Sequence, residues 1–172
     1  MYSAAQWLES TRLSVGIQSA GWAIPLVQSI HILTIGIVFV SILMIVLRLM
    51  GWMRVDQPFG EVAGFFAPWI RRGLVVLTLT GLTLVIGEPI REIMSLSFWL
   101  KMGLLAIGVT SAVAFKRSLE PVVRGGVEPE FSAKAKSAAM ATVVLWLAII
   151  FLGRAIAYDV EVWGALSLSP RA

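Results

Sequence analysis

One histidine stands in the 172 residues, and it is His31. It lies within QSIHILTIGIVFVSILMIVLRLM, an apolar stretch from Gln28 to Met50. Polar side chains are costly inside a membrane, so an imidazole there is either bonded across helices or used. The uses open to it are ligation of haem iron or copper, or transfer of a proton. At 100° per residue, Gln28, His31, Thr34 and Ser41 fall on one broad helical face that should turn inward.

Three more ionisable residues interrupt apolar runs, namely Glu88, Lys101 and Arg154. Arg72 and Glu88 enclose about 15 residues, or roughly 22 Å of helix, and Lys101 and Lys116 about 14, or roughly 21 Å. A hydrocarbon core of about 30 Å therefore draws a charge below the headgroups in each case, unless the side chains snorkel or the bilayer thins. His31, Glu88, Lys101 and Arg154 are thus expected near one depth, one per helix. Lys101 and Arg154 together suit an anionic group such as a propionate or carboxylate. Read more simply, both snorkel, and Glu88 pairs with one of them.

These residues need helices to position them. Hydrophobic residues make up 58% of the chain and charged residues 14%. That leaves too little polar surface to cover a soluble domain. The apolar runs are solid rather than alternating, which excludes spanning strands. The expected fold is all-α: a single-domain integral membrane antiparallel four-helix bundle. Its spans should cover about 23–47, 65–87, 97–115 and 137–158, after an interfacial helix over about 3–18 capped by Ser3. Glu9, Arg12 and Gln18 argue against reading the first 20 residues as a signal peptide. Thr78, Thr80, Gly81 and Thr83 give the second span a small, polar packing surface. Trp22, Trp52, Trp69, Trp99 and Trp163 stand near span ends, as interfacial anchors do.

The loop after span one carries Arg48, Arg54, Arg71 and Arg72, and the loop after span three carries Lys116, Arg117, Arg124, Lys134 and Lys136. The opposite side holds Arg91, Lys101, Arg154 and Arg171. The basic loops should be cytoplasmic, leaving both termini on the outer, periplasmic side of a bacterial inner membrane. The net charge of +4 is accounted for by this bias and does not call for nucleic acid. With no cysteine, the chain alone forms no disulfide, thiolate metal site or iron–sulfur cluster. Its seven methionines are scattered. No paired serine and histidine with an orienting third group suggests a hydrolase.

The segments WLESTRLSVGIQSAGWAIPLVQSIHIL, LRLMGW, FAPWIRRGLVVLTLTGLTL, SFWLKMGLLA and LWLAIIFLGRAIAYD resemble the DUF6644 family of bacterial membrane proteins over most of the chain. That resemblance implies four membrane helices and supplies no activity. Two remoter families are also similar. HemJ-type protoporphyrinogen oxidases, associated with haem b, have a first-span histidine, an arginine closing that span and a lysine opening the third. The corresponding residues here are His31, Arg48 and Lys101. CopD-type copper-resistance proteins also carry a histidine among small and apolar residues.

Three functions follow as expectations. The first is a redox or electron-transfer module holding haem b or a quinone in an outer-leaflet pocket. His31 would be its ligand or bonding partner, with Gln28, Thr34, Glu88, Lys101 and Arg154 around it. The second is an oligomeric transporter of copper or another small solute, with His31 and a methionine such as Met102 as soft ligands. The third is a non-catalytic anchor or assembly subunit. Each acts in the lipid bilayer, as a homo-oligomer or with a partner membrane subunit.

Overall fold

The computed structural model describes residues 1–124 and 130–168. Those residues form helices and connections, with no strand among them. Four helices are long and apolar enough to cross a membrane. The N-terminal segment is two helices, α1 (Tyr2–Glu9) and α2 (Arg12–Ser19), where one was expected. Ser3 lies inside α1 and does not cap it. The break comes at Thr11, whose Oγ1 accepts the Ser14 N–H (3.3 Å) and donates to the Leu8 carbonyl (2.7 Å). That side chain serves the end of one helix and the start of the next.

The first span is α3 (Ala23–Met50). It closes where Gly51 takes a left-handed conformation, φ 76°, and the N–H groups of Gly51 and Trp52 turn back to Arg48 and Leu47. The second, α4 (Phe59–Gly87), begins just after Pro58, its N-cap residue, rather than near Phe65. Glu88 and Pro89 end it as expected, and Pro89 opens a short helix, α5 (Pro89–Ile93). The third, α6, runs from Leu96 to Arg124 and extends beyond Phe115, so the first part of the expected loop is helical. The Gly125–Gly126 pair and Arg171 lie outside the described residues. The fourth, α7 (Ala133–Ala155), is capped by Ser132 and continues through a tight turn, Ile156–Tyr158, into α8 (Asp159–Trp163).

The central helix is α3, which packs against α4 on one side and α7 on the other, while α6 packs against α7. No comparable packing joins α4 to α6 among the described residues. The spans therefore form a curved row, α4–α3–α7–α6, with an open side between its ends. Burial follows this order. In the most apolar stretch of each span, 28% of α3 is buried and 17% of α7, against 11% of α4 and 6% of α6. Leu33, Leu79, Ile107 and Phe151 stand exposed on the outside, as lipid-facing residues do.

Along the bundle axis the two halves differ. Val38, Ile42, Val46 and Leu49 of α3 meet Phe59 of α4 and Val143, Trp146 and Ile149 of α7 in an apolar core away from the chain termini. Gly73 permits close approach there, since a Cβ at that position would strike Val38. The other half lies under α1, α2, α5 and α8, and is called the capped end below. Here Gly87 abuts Ile24 and Ile17, and here the polar side chains gather.

Candidate polar site beneath the capped end

His31 and Thr80 face each other across α3 and α4. Their atoms Nδ1 and Oγ1 are 2.7 Å apart. The Thr80 hydroxyl also lies 2.7 Å from the Val76 carbonyl and 3.3 Å from that of Leu77 on its own helix. With its single proton on Val76, Oγ1 accepts from Nδ1–H, the neutral tautomer that leaves Nε2 with a free lone pair; with that proton turned to the ring, Oγ1 donates to Nδ1 and Nε2 carries the hydrogen. No described side chain bonds Nε2. Gly81 faces the ring, and a Cβ there would lie 3.6 Å from Cε1, an ordinary contact.

Lys101 enters from α6. Its stem and ammonium lie across Gly153 of α7, where a Cβ would be 3.7 Å from Nζ. The ammonium is within electrostatic reach of both His31 and Glu92. Glu92, on α5, is only 7% exposed. Burial pushes its carboxyl above the ordinary value of 4.5, against the pull of Lys101 and Arg91, and Glu88 adds to the rise. Lys101 and Glu92 do not close an ion pair among the described residues.

The other anticipated residues are placed differently. Thr34 is buried, but its hydroxyl is bound to the Ile30 carbonyl (2.7 Å) and its methyl faces Gly73, which is a packing role. Gln28 is half-buried one turn closer to the capped end. Glu88 pairs with neither Lys101 nor Arg154. It binds Arg91 at 2.6 Å, one turn away on α5. A pocket of about 530 Å³ opens beside that pair, with Glu9, Gln18 and Ile24 also in its wall. Arg154 does not join His31. It is exposed, and its guanidinium donates to the Tyr158 hydroxyl (3.1 Å) and lies over that ring. Of the four expected groups, two converge.

A second polar cluster was not anticipated. Asp159 at the start of α8 is 5% exposed. It accepts from the Ser95 hydroxyl (2.7 Å), the N–H groups of Leu96 (3.2 Å) and Ser97 (3.0 Å), and the Ser167 hydroxyl (2.6 Å). It thereby caps the first turn of α6 from the other end of the chain. Trp163 is drawn into the same cluster by donating to Ser97 Oγ (2.7 Å), and is half-buried, whereas Trp22, Trp52, Trp69 and Trp99 are exposed. Among the described residues no three His, Asp or Glu side chains group as metal ligands.

Fold and site together define a helical protein with four membrane-compatible spans and a half-buried histidine and lysine beneath one end. Residues 5–159 match the model of a family of unknown function, DUF6644, and the chain belongs to that family. No curated protein and no solved structure is similar enough to match it.

Proposed function

We propose that the chain is a membrane redox module that holds a lipophilic quinone between His31 and Lys101. The observation that carries the reading is the His31–Thr80 bond, whose Nδ1–H form leaves Nε2 as an acceptor, with the Lys101 ammonium within electrostatic reach. A quinone ring offers carbonyl oxygens when oxidised and hydroxyls when reduced. Lys101 donates to the first kind of oxygen, and His31 Nε2 accepts from the second. The open side between α4 and α6 supports entry of an isoprenoid tail from the bilayer.

Haem b in the same place would use Nε2 as iron ligand and need cations for two propionates. Lys101 already faces Glu92, and Arg154 is engaged with Tyr158 at the surface. The local charge balance therefore favours a neutral ring over an anionic porphyrin. The positive-inside bias supports a position for this site in the outer leaflet of the membrane.

Solvent extraction of the purified protein tests the reading. Quinone should co-purify with the unmodified chain and fall at least about tenfold in His31→Gln and Lys101→Met, the scale of losing a charge-assisted bond. A Soret band in its place would assign haem instead. Copper retained through His31 and Met102 would assign the transport reading. A stoichiometric partner subunit whose activity survives His31→Gln would assign the anchor reading.

A further inference from the structure

We infer that Glu92 is the group through which the His31–Lys101 site exchanges protons with water at the capped end. This deepens the quinone reading and rests on it. The placement of three side chains carries the inference. Glu92 belongs to α5, which joins α4 to α6 across the capped end of the gap and packs against both. Lys101 is five residues into α6, roughly 8 Å along its axis. His31 is eight residues into α3, roughly 12 Å along it. The three groups descend from the surface into the bundle, and Lys101 alone reaches both of the others electrostatically.

A carboxyl at the membrane surface has water within reach at little cost. Glu92 nevertheless turns inward and is buried without an ion pair among the described residues. Such a group is costly unless it is used. The charged groups that act on it are Lys101 from α6, Glu88 from the end of α4 and Arg91 from α5 itself. The other elements packed on α5 carry Glu9, on α1, and Tyr158, in the turn before α8. Arg91 is committed to Glu88. The pocket lined by Glu9, Gln18, Glu88 and Arg91 lies beside α5, with Ile90 and Arg91 of that helix but not Glu92 in its wall.

The proton balance closes within the chain. His31 Nε2 takes the proton of a bound ring hydroxyl; that O–H bond breaks and an N–H bond forms. The ring oxygen keeps the electron pair and faces the Lys101 ammonium. Lys101 passes one proton to the Glu92 carboxylate and is refilled from the imidazolium. The outcome is neutral His31, cationic Lys101 and a protonated Glu92, which discharges to water. Lys101 and Glu92 stand beyond direct pairing, so swing of the long lysine stem or a bridging water covers the distance. Burial raises the Glu92 carboxyl, which moves it toward the range where a group both takes and releases protons near neutrality.

The test is infrared difference spectroscopy of the full chain in bilayers, with a short-tailed benzoquinol kept reduced as the probe and tryptophan quenching as the measure of binding. Binding should add a protonated-carboxyl band to the unmodified protein. The band should be lost in Glu92→Gln and return in Glu92→Asp. The same spectrum of unmodified protein labelled with 13C-glutamate needs no variant to fold, and the label should shift the band. Quenching with no such band, or with a band that neither the label nor Glu92→Gln alters, overturns the inference and leaves the ring site standing. Absence of quenching overturns both.

Discussion

At the scale of single residues, the chemistry depends on one proton's position. Where Thr80 gives its hydroxyl proton to Val76, His31 donates from Nδ1. Because His31 is the only histidine, 15N-labelled histidine reports that ring alone. Its spectrum should show the Nδ1–H tautomer in the unmodified protein. Thr80→Val keeps the shape but removes the acceptor. It should shift the population toward Nε2–H and weaken quinone binding by about 10-fold, the scale seen when an orienting partner of a ligating histidine is lost. An unchanged tautomer in Thr80→Val would remove the orienting role. Glu92 carries a second residue-level consequence. Its carboxyl titrates higher in the folded chain than the ordinary 4.5. The folded state therefore holds this proton more firmly than the unfolded state does. The resulting stability is fully present below pH 4.5 and is lost as pH rises through the elevated value. Thermal midpoints in detergent should show unmodified protein losing stability relative to Glu92→Gln as pH rises over that interval. The opposite slope would mean that the charged form is the one the fold favours.

Helices are held by contacts that differ sharply from glycine to glycine. A Cβ at Gly73 would strike Val38, whereas one at Gly64, earlier on the same helix, meets nothing within 4 Å. Gly73→Ala should therefore force α3 and α4 apart at a cost of about 1–3 kcal/mol, while Gly64→Ala should gain about 0.5–1 kcal/mol from helix propensity. Unfolding by denaturing detergent measures both. Asp159 ties α8 to the start of α6 through the Ser95 hydroxyl and two N–H groups and also holds the Ser167 hydroxyl, and Asp159→Ala should cost about 2–4 kcal/mol by the same measurement. Much of this level was legible in the sequence. Solid apolar runs located all four spans, and the depth of His31 and Lys101 marked both as interior. What depth cannot give is direction around a helix. Arg154 has the depth expected of it, yet it points outward, because α7 turns Val143, Trp146 and Ile149 to the core and Gly153 to Lys101. The spacing of those residues held the information, since Arg154 lies 100° from Gly153. Glu92 and Asp159 escaped for another reason. They sit in five-residue helices, too short for periodicity to reveal a face, and are buried only because α5 and α8 fold back over the bundle. Glu88 was misassigned because a partner one turn away on α5 competes better than a distant lysine.

On the whole-molecule scale, the governing feature is that the four spans do not close into a ring. Packing in a membrane gains nothing from the hydrophobic effect, so helices associate where small residues allow close contact. Gly73 and Gly87 supply this between α3 and α4, and Gly108, against Leu145, supplies it between α6 and α7. The packing is therefore closest within each pair and weakest between α4 and α6, whose capped ends α5 joins. The proposed ring site requires access from lipid for a hydrocarbon tail and from water at the capped end for exchangeable protons. Which compartment receives those protons depends on orientation. Arg48, Arg54, Arg71 and Arg72 crowd the end opposite the cap, while Arg91 and Glu88 at the capped end cancel each other. That imbalance supports an outward-facing capped end. The chain contains no cysteine, so single-cysteine variants report their own position without background. In intact cells, a membrane-impermeant maleimide should label Gln6→Cys on α1 and spare Gln57→Cys in the α3–α4 loop until the membrane is opened. Gln57 accepts the Arg48 Nε–H through its backbone carbonyl (2.7 Å), so replacing its side chain leaves that bond in place. The reverse labelling pattern would turn the site toward the cytoplasm and direct proton release from Glu92 inward.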